Sequence, residues 1–232
     1  GGNRLANAIA AGIGATPVIT TATDVNGRFA VDAWAAEQGF VLDSMAAAKD
    51  IAAAILERDV PICADGPMRG ALPAGLYPGA EGDVGISVSV RTKKPFSETL
   101  SVIPRALTLG LGCRRGTDKE ALAQTVFEVF QENGLDLRAV REAASIDLKA
   151  DEPGLLAFCE QLGISVLFYA AETLAAVKGS FTPSAFVQGV TGVDNVGERS
   201  AAAGGGKLIV KKTARRGVTV AVAETAWEVN FE

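Results

Sequence analysis

The residues best suited to chemistry lie in one run, GLGCRRGT, residues 110–117. It follows the apolar segment LTLGLG and leads into DKEALAQTVFEVFQENG, whose apolar residues recur at helical spacing. A buried strand that turns into a helix aims backbone N–H groups and the positive end of the helix dipole at one point, and anions bind at such points. Arg114 and Arg115 add planar cationic forks suited to carboxylate or phosphate. Gly112 is read as the glycine that permits the turn, and Thr117 or Asp118 as the helix cap. An ordinary strand–turn–helix corner with solvated arginines fits the same residues. The spacing is not that of a phosphate-binding GxxxxGK[ST] loop, and a GxGxxG fingerprint would need glycine at Arg115. No nucleotide cofactor is implied.

Three other clusters are candidates. TTATDVNGR, residues 20–28, puts Thr21, Asp24, Asn26 and Arg28 at the end of a β-branched run, where open α/β sheets bind ligands. A polar loop with an aspartate cap, or an Asp24–Arg28 pair, explains it equally well. SIDLKADE places Asp147, Lys149 and Glu152 after another strand, with surface solvation as the alternative. GVDNVGERSA offers Asn195, Glu198 and Arg199 at a helix start, and a cap at Asp194 covers part of that pattern. Asp65, ending VPICAD, reads first as a turn residue before Gly66-Pro67.

What is missing also constrains the chemistry. The chain has no histidine, so a Ser–His–Asp triad and a histidine-ligated metal are excluded within it. Proton transfer falls to Asp, Glu, Lys, Tyr, Cys or bound water. Cys63, Cys113 and Cys159 are odd in number and far apart, which argues against a disulfide framework or a zinc site.

The elements that must position these residues alternate between helix and strand. RLANAIAAGIG reads as a helix, PVITTA as a strand, and residues 29–38 as a helix. A third helix follows a cap at Asp43 or Ser44, with Met45, Ala48, Ile51, Ala52 and Ile55 as its apolar stripe. VPICAD and GDVGISVSVR read as strands. KKPFSETLSVIPR, residues 93–105, carries two prolines and no amphipathic period and is read as a linker. Beyond it LTLGLG, ISVLFYA, KLIVKK and GVTVAVAE read as strands, with helices over 118–134, 152–162 and 171–177. Ala121, Val126, Phe127, Val129 and Phe130 supply the apolar side of the first of these helices. The expected fold class is therefore α/β, with two α/β domains, residues 1–100 and 101–232, joined by a Pro-containing linker. Because the chain opens directly on a helix, the first domain is expected to be truncated at its N-terminus.

Of 232 residues, 48% are apolar and 21% charged, enough to build packed cores. The first 100 residues carry 8 basic and 11 acidic side chains and the remainder 14 and 16, so neither half is a polycation suited to nucleic acid. No apolar stretch approaches the roughly 20 residues of a membrane span. A cytoplasmic protein with neither nucleic-acid nor membrane partner is expected.

Four segments, in order, resemble the CbiG family of cobalamin biosynthesis: GGNRLANAIAAGIGATPVITTATDVNGRFAVD, GLGCRRGT, SIDLKADEPGL, and GVDNVGERSA followed by KLIVKKTARRGVTVAVA. The first corresponds to the tail of the family's N-terminal domain running into its middle region. The other three correspond to its C-terminal domain, which is similar to the CobE proteins of the aerobic pathway. Family members carry a further segment before GGN, with a histidine just upstream of the two glycines, and this sequence departs from that pattern. The resemblance implies a hydrolase acting on cobalt-precorrin-5A, a cobalt-bearing tetrapyrrole lactone. Water opens the lactone, a two-carbon unit leaves as acetaldehyde, and cobalt-precorrin-5B results. The cobalt travels with the substrate, so no cofactor of the protein itself is implied. Other enzymes of the pathway are conceivable partners. On this basis Asp24 and Glu152 are candidate bases, the chosen one with a raised pKa, and Lys149 is a stabiliser of developing negative charge. Thr21, Asn26, Arg28, Gly112, Arg114, Arg115, Thr117, Asn195 and Glu198 are candidate substrate contacts, and the flat macrocycle is expected between the two domains. A corrinoid-binding carrier without catalysis is the alternative.

Overall fold

Serine and glycine signals set the first helices of the computed structural model, which describes residues 9–15 and 28–232. Residues 9–13 are helical. Helix α1 (Val31–Gln38) ends at Gly39, whose φ of 70° is the left-handed conformation that closes a helix without a Cβ penalty. After the short strand β1 (Val41–Leu42), Ser44 caps α2 (Met45–Glu57) by accepting a hydrogen bond from the Ala47 N–H at 3.1 Å. Ala48, Ile51 and Ile55 are its buried stripe, but Met45 is 58% exposed, outside the stripe expected of it. It is the first residue after the cap, and its side chain is left to solvent.

Strands β2 (Val60–Ala64), β3 (Met68–Arg69), β4 (Leu76–Pro78), β5 (Val84–Val88) and β6 (Glu98–Ile103) follow. They form a sheet in the order β1-β6-β5-β2-β4, parallel except for the β1–β6 pair, with β3 outside it. Helix α2 packs on β2, β5 and β6, bringing Ile51 and Ile55 to a core that includes Ile62, Ile86 and Leu100. Burial of each such side chain stabilises by about 1.5–3 kcal/mol. Residues 98–103, inside the segment read as linker, are thus an interior strand with five of six residues buried. Because both faces are covered, no polar/apolar alternation marks it. Of the two prolines, Pro104 alone stands at the boundary between the two units into which the contacts divide the chain.

The second unit, Arg105–Trp227, is built on β7 (Leu107–Cys113). Helix α3 (Lys119–Glu132) starts at Asp118, which accepts the Ala121 N–H at 2.7 Å. It buries Leu122, Val126, Val129 and Phe130 and leaves Phe127 55% exposed, contrary to expectation. There follow a 3₁₀ turn (Leu137–Ala139), β8 (Val140–Ile146), a second 3₁₀ turn (Asp147–Lys149), α4 (Pro153–Leu162), β9 (Ser165–Tyr169), and helices α5 (Ala171–Ala176), α6 (Ala185–Thr191) and α7 (Val196–Ala202). A β-hairpin, β10 (Lys207–Arg215) and β11 (Val218–Glu224), completes the unit. The sheet order is β10-β11-β7-β8-β9, with β7, β8 and β9 parallel and the hairpin antiparallel. The hairpin turn is Arg216-Gly217, both at positive φ (52° and 77°), as a tight two-residue connection requires. Helix α7 lies directly on this sheet, because a Cβ at Gly110 would stand 2.0 Å from the Gly197 carbonyl oxygen.

The last residues return to the first unit. Strand β12 (Val229–Asn230) pairs in parallel with β3, Trp34 Nε1 donates to the Asn230 carbonyl at 2.8 Å, and the Phe231 ring stacks on Trp34 at 5.4 Å. Both units are α/β. Among the described residues no helix is long and apolar enough to cross a membrane.

Candidate functional site

The strand–turn–helix corner after β7 is held by partners from its own unit. The register Cys113↔Val218 and Gly112↔Thr219 sets the Arg216-Gly217 turn beside it. The Arg114 N–H donates to the Gly217 carbonyl at 3.0 Å, and the Thr117 hydroxyl donates to the Arg114 carbonyl at 2.8 Å. Gly112, read as the turn residue, lies in the strand. The turn glycine is Gly116, at φ 71°. Its N–H donates to Glu152 Oε2 at 3.0 Å.

Glu152 is buried, with 3% of its side chain exposed. Its Oε1 accepts from Lys149 Nζ at 3.0 Å and lies 3.7 Å from Arg115 Nη1. Burial alone would raise its pKa. The Gly116 N–H, the Lys149 hydrogen bond and charge, and the Arg115 charge more than offset that, and its pKa is lowered. A water-activating base needs the opposite shift. The next glycine is a contact glycine: a Cβ on Gly154 would stand 2.0 Å from the Thr117 carbonyl oxygen, so the start of α4 rests on the turn's backbone.

The opposite wall comes from α6 and α7. Asn195 caps α7 by accepting the Glu198 N–H at 2.8 Å, while its Nδ2 donates to the Thr182 carbonyl at 2.8 Å. Glu198 is fully buried and accepts from the Thr182 N–H at 2.7 Å, the Thr182 hydroxyl at 2.9 Å and the Lys212 N–H at 2.7 Å. Burial pushes its pKa up, but these N–H and hydroxyl donors with the Lys211 charge lower it overall. Glu198 therefore ties the segment before α6 to β10. Arg199 Nε donates to Asp194 Oδ1 at 2.7 Å, and its Nη1 donates to the Leu174 carbonyl at 3.1 Å and the Val177 carbonyl at 3.0 Å, closing the end of α5.

These walls enclose a cavity of about 780 Å³, lined wholly by the second unit. Ile146, Leu148, Val187 and Val190 give it an apolar side. Arg114, Arg115, Lys149, Lys212, Arg215 and Arg216 give it a cationic side, and among the described residues no carboxylate lines it. Arg215 is held by Glu132 at 2.8 Å and Arg216 by Glu128 at 2.8 Å, while Arg115 meets Asp151 at 3.2 Å. Cys113 also lines the cavity, and burial raises its pKa, with Lys149 opposing and Glu152 adding to the effect. At neutral pH the Glu152 carboxyl is ionised and the Cys113 thiol protonated, so neither is set to move a proton. Such a cavity suits a flat, largely apolar ligand edged with anionic groups. Among the described residues no group of three or more Cys, Asp or Glu side chains could hold a metal ion.

The structure brings eight of the anticipated residues together. Gly112, Arg114, Arg115, Lys149 and Asn195 line the cavity, and Thr117, Glu152 and Glu198 stand behind it. Arg28 lies in the first unit, paired with Asp59 at 3.0 Å. Thr21, Asp24 and Asn26 fall outside the described residues. Asp65, also in the first unit, accepts from Ser89 at 2.6 Å and Lys93 at 2.7 Å. Lys212, Arg215 and Arg216, legible in the sequence as a basic cluster, and the apolar wall were not among the anticipated site residues. The signal for the cations was the basic run KKTARRG, but only the β11–β7 register places it at the corner.

The family model described as Cobalamin synthesis G C-terminus matches residues 107–223. A cobalt-precorrin-5A hydrolase of Salmonella typhimurium is 30% identical over 238 residues, which cover 95% of this chain and 67% of that protein. One of Priestia megaterium is 26% identical over 247 residues, covering 96% and 65%. Protein CobE of a Sinorhizobium species is 35% identical over 124 residues, covering 52% of this chain and 80% of that one. The chain thus spans about two thirds of the length of the hydrolases it matches.

Proposed function

The chain belongs to the cobalamin synthesis G family, and on that premise we propose that it acts as a cobalt-precorrin-5A hydrolase whose second unit grips the tetrapyrrole. The observation that carries the placement is the cavity of about 780 Å³, with an apolar side and, among the described residues, six cations and no lining carboxylate. A cobalt-bearing macrocycle with acetate and propionate arms offers the complement: a flat apolar face and a fringe of anions. The cobalt is part of the substrate.

In this reading water opens the lactone and acetaldehyde leaves, giving cobalt-precorrin-5B. Lys149, at the cavity wall and fixed by Glu152 at 3.0 Å, stabilises the negative charge that develops on the lactone oxygen. Glu152 is a positioning residue: it holds Lys149, Arg115 and the Gly116 turn at once. Because Glu152 is committed to these partners, Asp24 is the candidate for the base that activates water. The reading places the chain in the cytoplasm, where Cys63, Cys113 and Cys159, all free thiols, stay reduced, and among the other enzymes of its pathway.

The test is acetaldehyde release from cobalt-precorrin-5A, measured with this chain and with the chain extended to the length of its relatives. Stoichiometric release that is lost in Lys149→Met supports the assignment. Tight corrinoid binding with no release from either chain favours a carrier instead.

A further inference from the structure

Four of the six cavity cations are balanced by carboxylates of their own unit. Arg115 meets Asp151 at 3.2 Å, Lys149 meets Glu152 at 3.0 Å, Arg215 meets Glu132 at 2.8 Å and Arg216 meets Glu128 at 2.8 Å. Arg114 and Lys212 meet no carboxylate among the described residues. Both are nonetheless anchored. The Arg114 backbone is bonded to Gly217 at 3.0 Å, and its stem lies across that glycine, where an added Cβ would be 3.1 Å from Arg114 Cδ. The Lys212 N–H is bonded to buried Glu198 at 2.7 Å. Each residue is fixed at its backbone and lines the cavity, and its charged head meets no carboxylate among the described residues.

Guanidinium and ammonium groups donate hydrogen bonds and accept none. A free carboxylate meets them with opposite charge and acceptors only. A carboxamide brings one acceptor, no charge, and an NH₂ group that finds no acceptor on either side chain. We infer that Arg114 and Lys212 are the specificity-determining pair of this site, selecting macrocycles whose peripheral arms are free carboxylates over those whose arms are amidated. The inference rests on the reading that the cavity holds the macrocycle.

The test uses two cobalt corrins with the same ring, one bearing free acetic and propionic acid arms and the other bearing every arm as a primary carboxamide. Each is titrated calorimetrically into the full chain at low salt. The wild type binds the acid corrin at least about tenfold more tightly than the amide. Arg114→Gln and Lys212→Gln each weaken acid-corrin binding by about tenfold and leave amide-corrin binding within about twofold. Lys207→Gln, on the same strand as Lys212 but outside the cavity, changes neither. Equal losses for both corrins, or unchanged acid-corrin affinity in both variants, overturns the selectivity while leaving the cavity as the binding site. A wild type that binds neither corrin overturns the cavity reading and this inference with it.

Discussion

The Gly116 N–H donates to the Glu152 carboxylate across 3.0 Å, so the anion that the strand–turn–helix corner binds is one of the protein's own side chains. Three backbone donors of the turn are spent internally: Arg114 on Gly217, Gly116 on Glu152, Thr117 on Arg114. What the corner offers a ligand is the cationic side chains it holds up, not a nest of free N–H groups.

Removing Glu152 therefore loosens the corner. Glu152→Ala strands Lys149 and the Gly116 N–H and is expected to cost about 2–4 kcal/mol in urea unfolding. Glu152→Gln, which can keep the Gly116 contact, costs less. Because folding lowers the Glu152 pKa below its ordinary 4.5, its contribution is complete above that value and is lost as pH falls through the lower folded pKa. The stability gap between wild type and Glu152→Gln is accordingly widest near neutral pH and narrows below pH 4.5. A gap that stays constant to pH 2 would contradict the assignment.

Three glycines should respond differently to the same methyl group. A Cβ at Gly110 or Gly154 would stand 2.0 Å from a backbone carbonyl oxygen, of Gly197 and Thr117 respectively. Gly110→Ala and Gly154→Ala should each destabilise by at least the about 1–3 kcal/mol typical of overpacking. At Gly112 the nearest atom is Thr219 Cβ at 3.6 Å, an ordinary contact, and that glycine lines the cavity. Gly112→Ala should keep wild-type stability within about 1 kcal/mol and act on ligand binding instead. Thermal melts of the three variants separate packing from function.

The cysteines give a chemical footprint of the cavity. Burial pushes the Cys159 thiol up to about 11 and leaves it 2% exposed, so it resists alkylation at pH 8. Cys113, half-buried at the cavity wall with a raised pKa, should react slowly and faster as pH rises. A bound corrin should protect it, as peptide mass mapping after iodoacetamide treatment would reveal. Unchanged Cys113 labelling at saturating corrin argues that the macrocycle binds elsewhere.

Local signals carried much of the fold. Ser44 before α2, Asp118 before α3 and Pro153 opening α4 each mark a helix start that the structure keeps. Strand β6 was hidden because its flanking prolines look like a linker and its two covered faces erase alternation. At the site, Arg114, Arg115 and Lys149 were legible from type and placement. The meaning of Glu152 was not, since a carboxylate on a loop reads alike whether it faces solvent or closes on a buried N–H. Lys212 and the Arg216-Gly217 turn depend on a pairing register with a strand some hundred residues earlier, for which no local pattern exists.

The most direct measurement is the position of the cobalt atom in crystals of the chain soaked with a cobalt corrin bearing free carboxylic arms, located by anomalous scattering. If the cavity holds the macrocycle, the peak lies between the apolar wall of Ile146, Leu148, Val187 and Val190 and the cations of the Arg114 corner and β10. A cobalt peak at full occupancy outside that cavity, with the cavity itself empty, contradicts the placement.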